Sequence, residues 1–273
     1  MTPPTEPAAL TAGPAWLFCP ADRPERYAKA ADAADVVILD LEDAVAAGAK
    51  AAARQALIDN PLDPARTVVR VNASDSPDHV LDLEALAATE YTHLMLAKTE
   101  SPEQVAALAP RRVIALVETP RGAVMVREIA ADDATAGLMW GAEDLVAGLG
   151  GSSSRNADGA YRQVAHHVRS SMLLAAKAHG KLALDAVHLD IKDLDGQRAE
   201  ALDAVATGFD ASVCIHPRQV AEVRAAYRPT EAEIDWSRRV LAAAVGERGV
   251  FAFEGAMVDA PVLRHAEAVL RRA

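Results

Sequence analysis

The chain has 273 residues, of which 51% are hydrophobic and 25% are charged, and its formal net charge is −11. This composition is typical of a folded protein with a sizeable core and excludes a disordered chain. The acidic balance, without any lysine–arginine block, argues against nucleic acid as a partner. The two cysteines exclude a disulfide framework. No apolar run is long enough to span a bilayer and no basic segment precedes an apolar one at the N-terminus, so we expect a cytoplasmic protein with no membrane partner.

Short apolar runs recur along the chain and alternate with alanine-rich stretches that favour helices. Most of the runs show no polar alternation, which is typical of parallel strands buried on both faces. Eight such runs with helices between them predict an α/β fold, a (β/α)8 TIM barrel. An open doubly wound sheet is the alternative, but no Gly-x-Gly-x-x-Gly follows the first run. The predicted strands lie within 15–20, 35–43, 67–73, 93–100, 112–120, 136–144, 181–190 and 212–219.

The last part of the chain does not continue the eightfold pattern. We therefore divide the sequence into a barrel, 1–228, and a C-terminal helical extension, 229–273. Within the extension the sequence predicts a helix, a short β-like segment, a turn at Glu254–Gly255 and a final helix. Asp259 two residues before Pro261 is typical of a helix N-cap. The extension either packs on the barrel or forms an arm that reaches a neighbouring subunit and its active site.

Charged residues collect where the predicted strands end, which is the functional face of such a barrel, although polar residues there also cap helices. Glu118 follows five apolar residues and is itself followed by Thr119–Pro120, so its carboxylate is partly desolvated and needs a proton or a cation. Asp144 ends the next predicted strand. Two oxygen ligands without cysteine or histidine companions suit Mg²⁺. An ion pair of Glu118 with Lys98 or Arg70, without metal, is the alternative.

The run VVILDLEDAV, 36–45, ends with three carboxylates in four positions. On a strand, Asp40 and Glu42 share one face, where like charges repel unless something uses them, while Asp43 lies on the other face. We interpret Asp43, like Asp144, as resembling a helix cap. Arg70 on the following strand can clamp a substrate carboxylate, neutralise Glu42, or do both.

Histidines and serines are weaker candidates. His166 and His167 lie on a predicted surface helix, where solvent contact is the plainer interpretation. His216 either contacts a ligand or caps the following turn. The serines at 152–154 lack the Gly-x-Ser-x-Gly setting of an activated nucleophile.

Seven motifs stand in order over roughly residues 14 to 270: LFCPADRPERYAKA, ILDLEDAV, VRVN, ALVETPRG, GAEDL, CIHPRQV and GAMVDAP. Together they resemble the citrate lyase β-subunit-like proteins of the HpcH/HpaI aldolase superfamily. The resemblance implies a homotrimer of (β/α)8 barrels that binds Mg²⁺ and cleaves or forms a carbon–carbon bond in an acyl thioester. Its members act on malyl-CoA, citramalyl-CoA, related 3-hydroxyacyl-CoA compounds, or citryl groups on an acyl carrier protein.

The resemblance also assigns roles to residues of this sequence. Glu118 and Asp144 match the Mg²⁺ ligands, and Arg70 matches the arginine that holds the keto-acid carboxylate. Glu42 matches an acidic residue of the acid/base network, and Asp259 matches an aspartate that the neighbouring subunit supplies. The implied catalytic residues are Asp259, Glu42 and Arg70, with Asp259 as the first choice for proton transfer. The implied substrate-binding residues are Arg70, Glu118 and, through backbone amides, Gly141, Ala142 and Glu143.

The implied reaction explains why these residue types occur together. A base removes the proton of the 3-hydroxyl, the carbon–carbon bond breaks, and a thioester enolate forms beside a 2-keto acid, with Mg²⁺ stabilising charge. On this hypothesis Asp40 is tolerated by neighbouring cations. Three alternatives stay open: a citrate lyase β-type subunit with a carrier-bound substrate, a metal-dependent aldolase without CoA, and a non-catalytic metabolite-binding relative. The acyl group, its stereochemistry and the favoured direction also stay open.

Overall fold

The computed structural model describes residues 10, 13–247 and 249–273. The chain forms two compact units, which divide after Val223, whereas the sequence analysis places the boundary after residue 228. Within the described residues, no helix combines the length and the apolar character that crossing a bilayer requires.

Eight parallel strands of the first unit form a closed barrel, in which each strand pairs with the next and the last pairs with the first. This confirms the predicted (β/α)8 fold, and every observed strand overlaps one of the eight predicted runs. The strands are β1 (Ala15–Pro20), β2 (Val36–Asp40), β3 (Thr67–Val71), β4 (His93–Leu96), β5 (Arg112–Val117), β6 (Thr135–Trp140), β7 (Leu182–Asp185) and β8 (Ala211–Cys214).

Helices connect consecutive strands, and several begin at the same local signal, a serine or threonine followed by proline. The hydroxyl accepts a free backbone N–H of the first turn, and proline suits a position whose N–H has no helical partner. Thr119 caps a helix in this way and so ends β5 directly behind Glu118. The helices are α1 (Tyr27–Ala33), α2 (Lys50–Asp59), α3 (Pro77–Leu86), α4 (Pro102–Ala106), α5 (Pro120–Val124), α6 (Val126–Ala131), α7 (Ala142–Gly148), α8 (Gln163–Ala178), α9 (Leu194–Thr207) and α10 (Pro217–Tyr227).

One cluster of buried side chains, drawn from all eight strands, fills the barrel. Ile38, Val68 and Leu116 belong to it. Because side chains alternate along a strand, the residues two positions further on point the same way, at the C-terminal end of the barrel. Those three residues are Asp40, Arg70 and Glu118. The strands therefore continue an apolar interior into a charged upper layer.

The second unit is a helical hairpin with a short two-stranded sheet. Its elements are α11 (Glu231–Ala243), β9 (Phe251–Phe253), β10 (Ala256–Val258) and α12 (Ala260–Arg271). The strands turn at Glu254 and Gly255, whose φ angles of 49° and 80° suit the tight turn of a β-hairpin. The Asp259 side chain accepts a hydrogen bond of 3.3 Å from the Val262 N–H and caps α12. The predicted turn and N-cap are both confirmed.

Candidate active site

A cavity of about 260 Å³ lies at the C-terminal end of the barrel. Its walls combine charged groups with apolar side chains, a mixture typical of small-molecule sites. The charged walls include Arg70, Glu118 and Asp144, and the apolar walls include Phe18, Leu116 and Met139. The lining comes from seven of the eight strands or from the loops that follow them, and the sequence analysis singled out only some of these residues.

Asp40 and Arg70 are paired across the sheet, because the register of β2 and β3 places them side by side. Arg70 donates from Nε and Nη2 to the two oxygens of Asp40, at 2.7 and 2.6 Å. Asp40 is fully buried and also accepts the backbone N–H groups of Glu42 and Ala44, at 2.9 and 3.0 Å. The expectation that neighbouring cations offset the Asp40 charge is confirmed, and the carboxylate also fixes the guanidinium and the turn after β2.

Arg70 has two further contacts, with Glu42 and Phe18. Nη1 lies 3.1 Å from Glu42 Oε2, so Arg70 does neutralise Glu42. The guanidinium carbon lies 4.6 Å from the centroid of the Phe18 ring, a cation–π contact that further restrains the side chain. Because Asp40 takes the Nε–Nη2 edge, a substrate carboxylate can meet only the remaining Nη hydrogens.

Glu42 lies behind the cavity wall. Its carboxylate pairs with the Lys98 ammonium and accepts the Asp43 N–H at 3.0 Å. Burial raises the pKa of Glu42, although Arg70 and Lys98 oppose the shift. The described cavity walls include Asp43 but not Glu42. Glu42 therefore lies outside the cavity lining, paired with the Arg70 and Lys98 cations.

The interpretation of two aspartates as helix caps is wrong. The helix after Asp43 begins only at Lys50, because Asp40 holds the intervening residues in a turn. The Asp43 side chain is 62% exposed and lies 3.2 Å from Lys98 Nζ. Asp144 lies in the first turn of α7, whose N-cap is Gly141. Its carboxylate lies 3.6 Å from Lys98 Nζ.

Glu118 and Asp144 form a carboxylate pair in which one member is deeply buried. Glu118 is 3% exposed, and its Oε1 accepts the backbone N–H of Lys98 at 2.9 Å. Burial and the nearby negative charge of Asp144 raise the pKa of Glu118 to about 8. Among the described residues neither Arg70 nor the Lys98 ammonium lies within ion-pair distance of Glu118, so the direct ion pair that was the alternative to a metal is not present. Two oxygen donors whose charges repel each other fit a divalent cation.

Gly141 is what lets Glu118 approach the start of α7. A Cβ at residue 141 would lie 2.8 Å from Glu118 Oε2 and 2.9 Å from its Cβ, too close for any side chain. The Gly141 N–H donates to the Val117 carbonyl at 3.1 Å, so its predicted role as an amide donor to substrate is wrong. Ala142 and Glu143, as the first residues of α7, keep N–H groups without helical partners.

The family model described as HpcH/HpaI aldolase/citrate lyase matches residues 15–217. The chain belongs to the HpcH/HpaI aldolase/citrate lyase family. The expected resemblance to citrate lyase β-subunit-like proteins is confirmed.

Several relatives resemble the chain over most of its length. The citrate lyase subunit beta-like protein of Mycobacterium tuberculosis H37Rv is 69% identical over 262 residues, 96% of each chain. The human mitochondrial citramalyl-CoA lyase is 31% identical over 267 residues, covering 85% of this chain and 77% of that protein. A crystal structure of CitE from M. tuberculosis with magnesium, acetoacetate and coenzyme A has a TM-score of 0.94, at 68% identity and 97% and 99% coverage.

A buried network beside the cavity was not foreseen from the sequence. The indole N–H of Trp140 donates to Asp185 at 2.6 Å, and Arg169 donates to both oxygens of Asp185, at 3.0 and 2.7 Å. Trp140 lines the cavity and immediately precedes Gly141. Since these partners come from three separate elements, no local sequence signal announces the contact. His216 accepts the Arg218 N–H at 3.2 Å, which supports its interpretation as a turn cap.

Replacing Gly141 by alanine should displace Glu118 without opening the barrel. We expect the affinity for Mg²⁺ to fall about tenfold, because a new methyl group would overlap the Glu118 carboxylate, which we predict to be a ligand of the ion. Calorimetric titration of the purified variant with Mg²⁺ measures this. Gly48→Ala is the matched control, since a Cβ at residue 48 meets nothing within 4 Å. Equal affinities for the two variants would show that the Gly141–Glu118 contact does not shape the site.

The raised pKa of Glu118, about 8, predicts that the metal-free protein binds a divalent cation with release of a proton. Near neutral pH the buried carboxyl is mostly protonated, and the cation needs its charged form. Titrations in buffers of different ionisation enthalpy should show up to about one proton released per site, falling toward zero well above pH 8. Between pH 4.5 and about 8 the folded state binds more protons than the unfolded state, so metal-free stability should decrease as pH rises. A Glu118→Gln variant that releases as many protons would contradict this assignment.

Proposed function

We propose that the protein is a magnesium-dependent carbon–carbon lyase that cleaves or forms a 3-hydroxyacyl-CoA such as citramalyl-CoA or malyl-CoA. The other partners are acetyl-CoA, or another acyl-CoA, and a small 2-keto acid. The observation that carries the proposal is the Glu118–Asp144 carboxylate pair beside an anchored Arg70 in one cavity. A cation site next to a guanidinium is the arrangement that a small keto acid, with a carboxylate and a carbonyl oxygen, requires.

The names of the relatives support the same chemistry. A human relative is named a citramalyl-CoA lyase, and the related CitE crystal structure contains magnesium, acetoacetate and coenzyme A. These compounds comprise the metal, an acid that carries a keto group, and the thioester carrier of the proposed reaction. The apolar walls formed by Phe18, Leu116 and Met139 leave room for a hydrocarbon part of the substrate.

Each residue of the proposed site has a separate role in the reaction. Glu118 and Asp144 would hold Mg²⁺, which when bound supplies Lewis-acid stabilisation of negative charge on a carbonyl oxygen. Arg70 donates to the keto-acid carboxylate and orients the bond that breaks. In the cleavage direction the Asp259 carboxylate accepts the proton of the 3-hydroxyl, and the electron pair of the C2–C3 bond moves into the thioester as its enolate. Protonation at C2 gives the acyl-CoA, with Glu42 supporting the proton transfer.

We also propose a homotrimer, which is the assembly that the family resemblance implies. In it, Asp259 reaches the active site of a neighbouring copy of the chain. Asp259 directly follows the second strand of a tight hairpin in the second compact unit, and it caps the helix that begins there. Mixing inactive Asp259→Ala and inactive Glu118→Gln proteins, after gentle dissociation and reassembly, should restore part of the activity. No recovery from an assembled mixture would place Asp259 in its own subunit's site or outside the reaction. A cytoplasmic location stays a prediction.

The first test is release of 2-keto acid from malyl-CoA and citramalyl-CoA, with Mg²⁺ and then with excess EDTA. Keto acid that forms with the metal and disappears on chelation supports the proposal, and the better substrate begins to define the acyl group. Activity that is indifferent to EDTA would remove the Glu118–Asp144 metal site from the mechanism.

A second candidate is a citrate lyase β-type subunit that acts on a citryl thioester held by an acyl carrier partner. The name of the M. tuberculosis relative favours it. This candidate predicts little turnover of free CoA esters and full activity when the carrier is supplied. Binding of the keto acid without any product from either thioester would favour a non-catalytic metabolite-binding relative instead.

A further inference from the structure

Lys98 lies just after β4 and contacts three of the carboxylates at the site through one ammonium group. Nζ pairs with Glu42, lies 3.2 Å from Asp43 Oδ2 and lies 3.6 Å from Asp144 Oδ1. Its backbone N–H donates to a fourth carboxylate, Glu118, at 2.9 Å. One residue therefore joins the proposed acid/base carboxylate to both proposed metal ligands.

The backbone of Lys98 shows that this double contact is enforced by the fold. Its φ angle of 51° lies in the left-handed region, which is unfavourable for a lysine in the absence of compensating contacts. The following residue, Thr99, is fully buried. Its N–H donates to the Leu116 carbonyl and its hydroxyl donates to the Leu96 carbonyl. These contacts hold the turn in which the Lys98 N–H reaches Glu118 while the side chain reaches Asp144.

The charges around Lys98 make it a competitor of a divalent cation. Arg70 is committed mainly to Asp40, so the Lys98 ammonium is the cation within 4 Å of Asp144 among the described side chains. An ion held by Glu118 and Asp144 would share the Asp144 carboxylate whose Oδ1 lies 3.6 Å from the ammonium, and the two positive charges would repel each other. The ammonium therefore stabilises the metal-free site and opposes the metal.

We propose that Lys98 is a positioning residue that holds Glu42 for proton transfer and weakens metal binding by competing for Asp144. The inference rests on the proposed lyase function and adds a second role to the same site. Its signature is that removing the charge changes metal affinity and turnover in opposite directions. A residue with a merely structural role would lower both.

The test uses the full chain and two measurements, Mg²⁺ titration by calorimetry without substrate and turnover of the better CoA thioester. Lys98→Met should bind Mg²⁺ about tenfold more tightly than the wild type, because a partly exposed unit charge has been removed from beside the ion. Its kcat should fall about 100-fold, because Glu42 loses the cation that orients it. Lys98→Arg keeps the charge and should stay within about twofold of the wild-type Mg²⁺ affinity.

Two further variants keep the test decisive. Lys98→Gln removes the charge but retains a hydrogen-bond donor for Glu42, and it replaces Lys98→Met if that variant does not fold. Lys29→Met removes one charge from an exposed position on α1 and should leave both measurements unchanged. Unchanged or weaker Mg²⁺ binding by the neutral variants, or undiminished turnover, would overturn the role of Lys98. Failure of the wild type itself to bind Mg²⁺ or to turn over a thioester would overturn the proposed function instead.

Discussion

Replacing Glu118 by glutamine should lower kcat/KM for the CoA thioester by about 1,000-fold and abolish measurable Mg²⁺ binding. The amide has almost the shape of the carboxylate and can still accept the Lys98 N–H, so the fold should survive. What disappears is one of the two carboxylates proposed to hold the metal. Activity assays and calorimetric Mg²⁺ titration on the same preparation measure both losses together.

The control for this variant is Glu84→Gln, which removes the same charge from an exposed position on α3. It should match the wild type in both assays. Thermal unfolding of Glu118→Gln, followed by circular dichroism without metal, should give a melting temperature at or above that of the wild type. The reason is that a buried carboxyl with a raised pKa has been replaced by a neutral group. Full activity in Glu118→Gln would show that the metal is held elsewhere.

Replacing Asp40 by alanine should lower the free energy of unfolding by about 3–5 kcal/mol. The substitution leaves the Arg70 guanidinium in a buried position without its two-bond partner, and it deprives two backbone N–H groups of their acceptor. Denaturant unfolding measures the loss directly. Turnover should also fall in whatever fraction remains folded, because Arg70 is no longer fixed beside the cavity.

Asp43→Ala is the matched control, three residues away in the same turn. Its side chain is 62% exposed and its ion pair with Lys98 is largely solvated, so stability should change by less than about 1 kcal/mol. A similar loss of stability in both variants would mean that the turn after β2, and not the Asp40–Arg70 pair, depends on acidic residues. A small loss for Asp40→Ala would mean that Arg70 finds another buried partner.

The barrel could be predicted because its signal is repeated eight times. Each strand is a short apolar run, and the runs are separated by stretches that favour helices, so errors of a few residues at the ends do not change the count. Glu118 could also be found from the sequence. A carboxylate that directly follows five apolar residues is expected to be partly buried, which is unfavourable unless a proton or a cation compensates its charge. The hairpin at Glu254–Gly255 and the cap at Asp259 were predictable from purely local chemistry.

The roles of Asp40, Asp43 and Lys98 could not be predicted, and the reasons differ. Asp40 needed the register between β2 and β3, which places it beside Arg70. Asp43 has the sequence context of a helix cap, but the Asp40 side chain binds the N–H of Ala44 in a turn. The next α-helix begins only at Lys50. Lys98 has a left-handed backbone conformation just beyond a strand, where side-chain alternation no longer applies. Its contacts with residues 42–43 and 144 join parts of the chain that are far apart in sequence, so no local pattern predicts them.

The arrangement in which Ile38, Val68 and Leu116 lie directly below Asp40, Arg70 and Glu118 has a consequence for how the protein can change. The packed apolar layer holds the three charged side chains above it in place. A mutation that repacks this layer therefore also shifts the positions of those side chains. Variation in substrate preference can therefore arise from apolar substitutions that never touch a charged residue. Conversely, an engineer who wants a more heat-resistant enzyme should work at the opposite, N-terminal end of the barrel, where gains in stability need not trade against turnover.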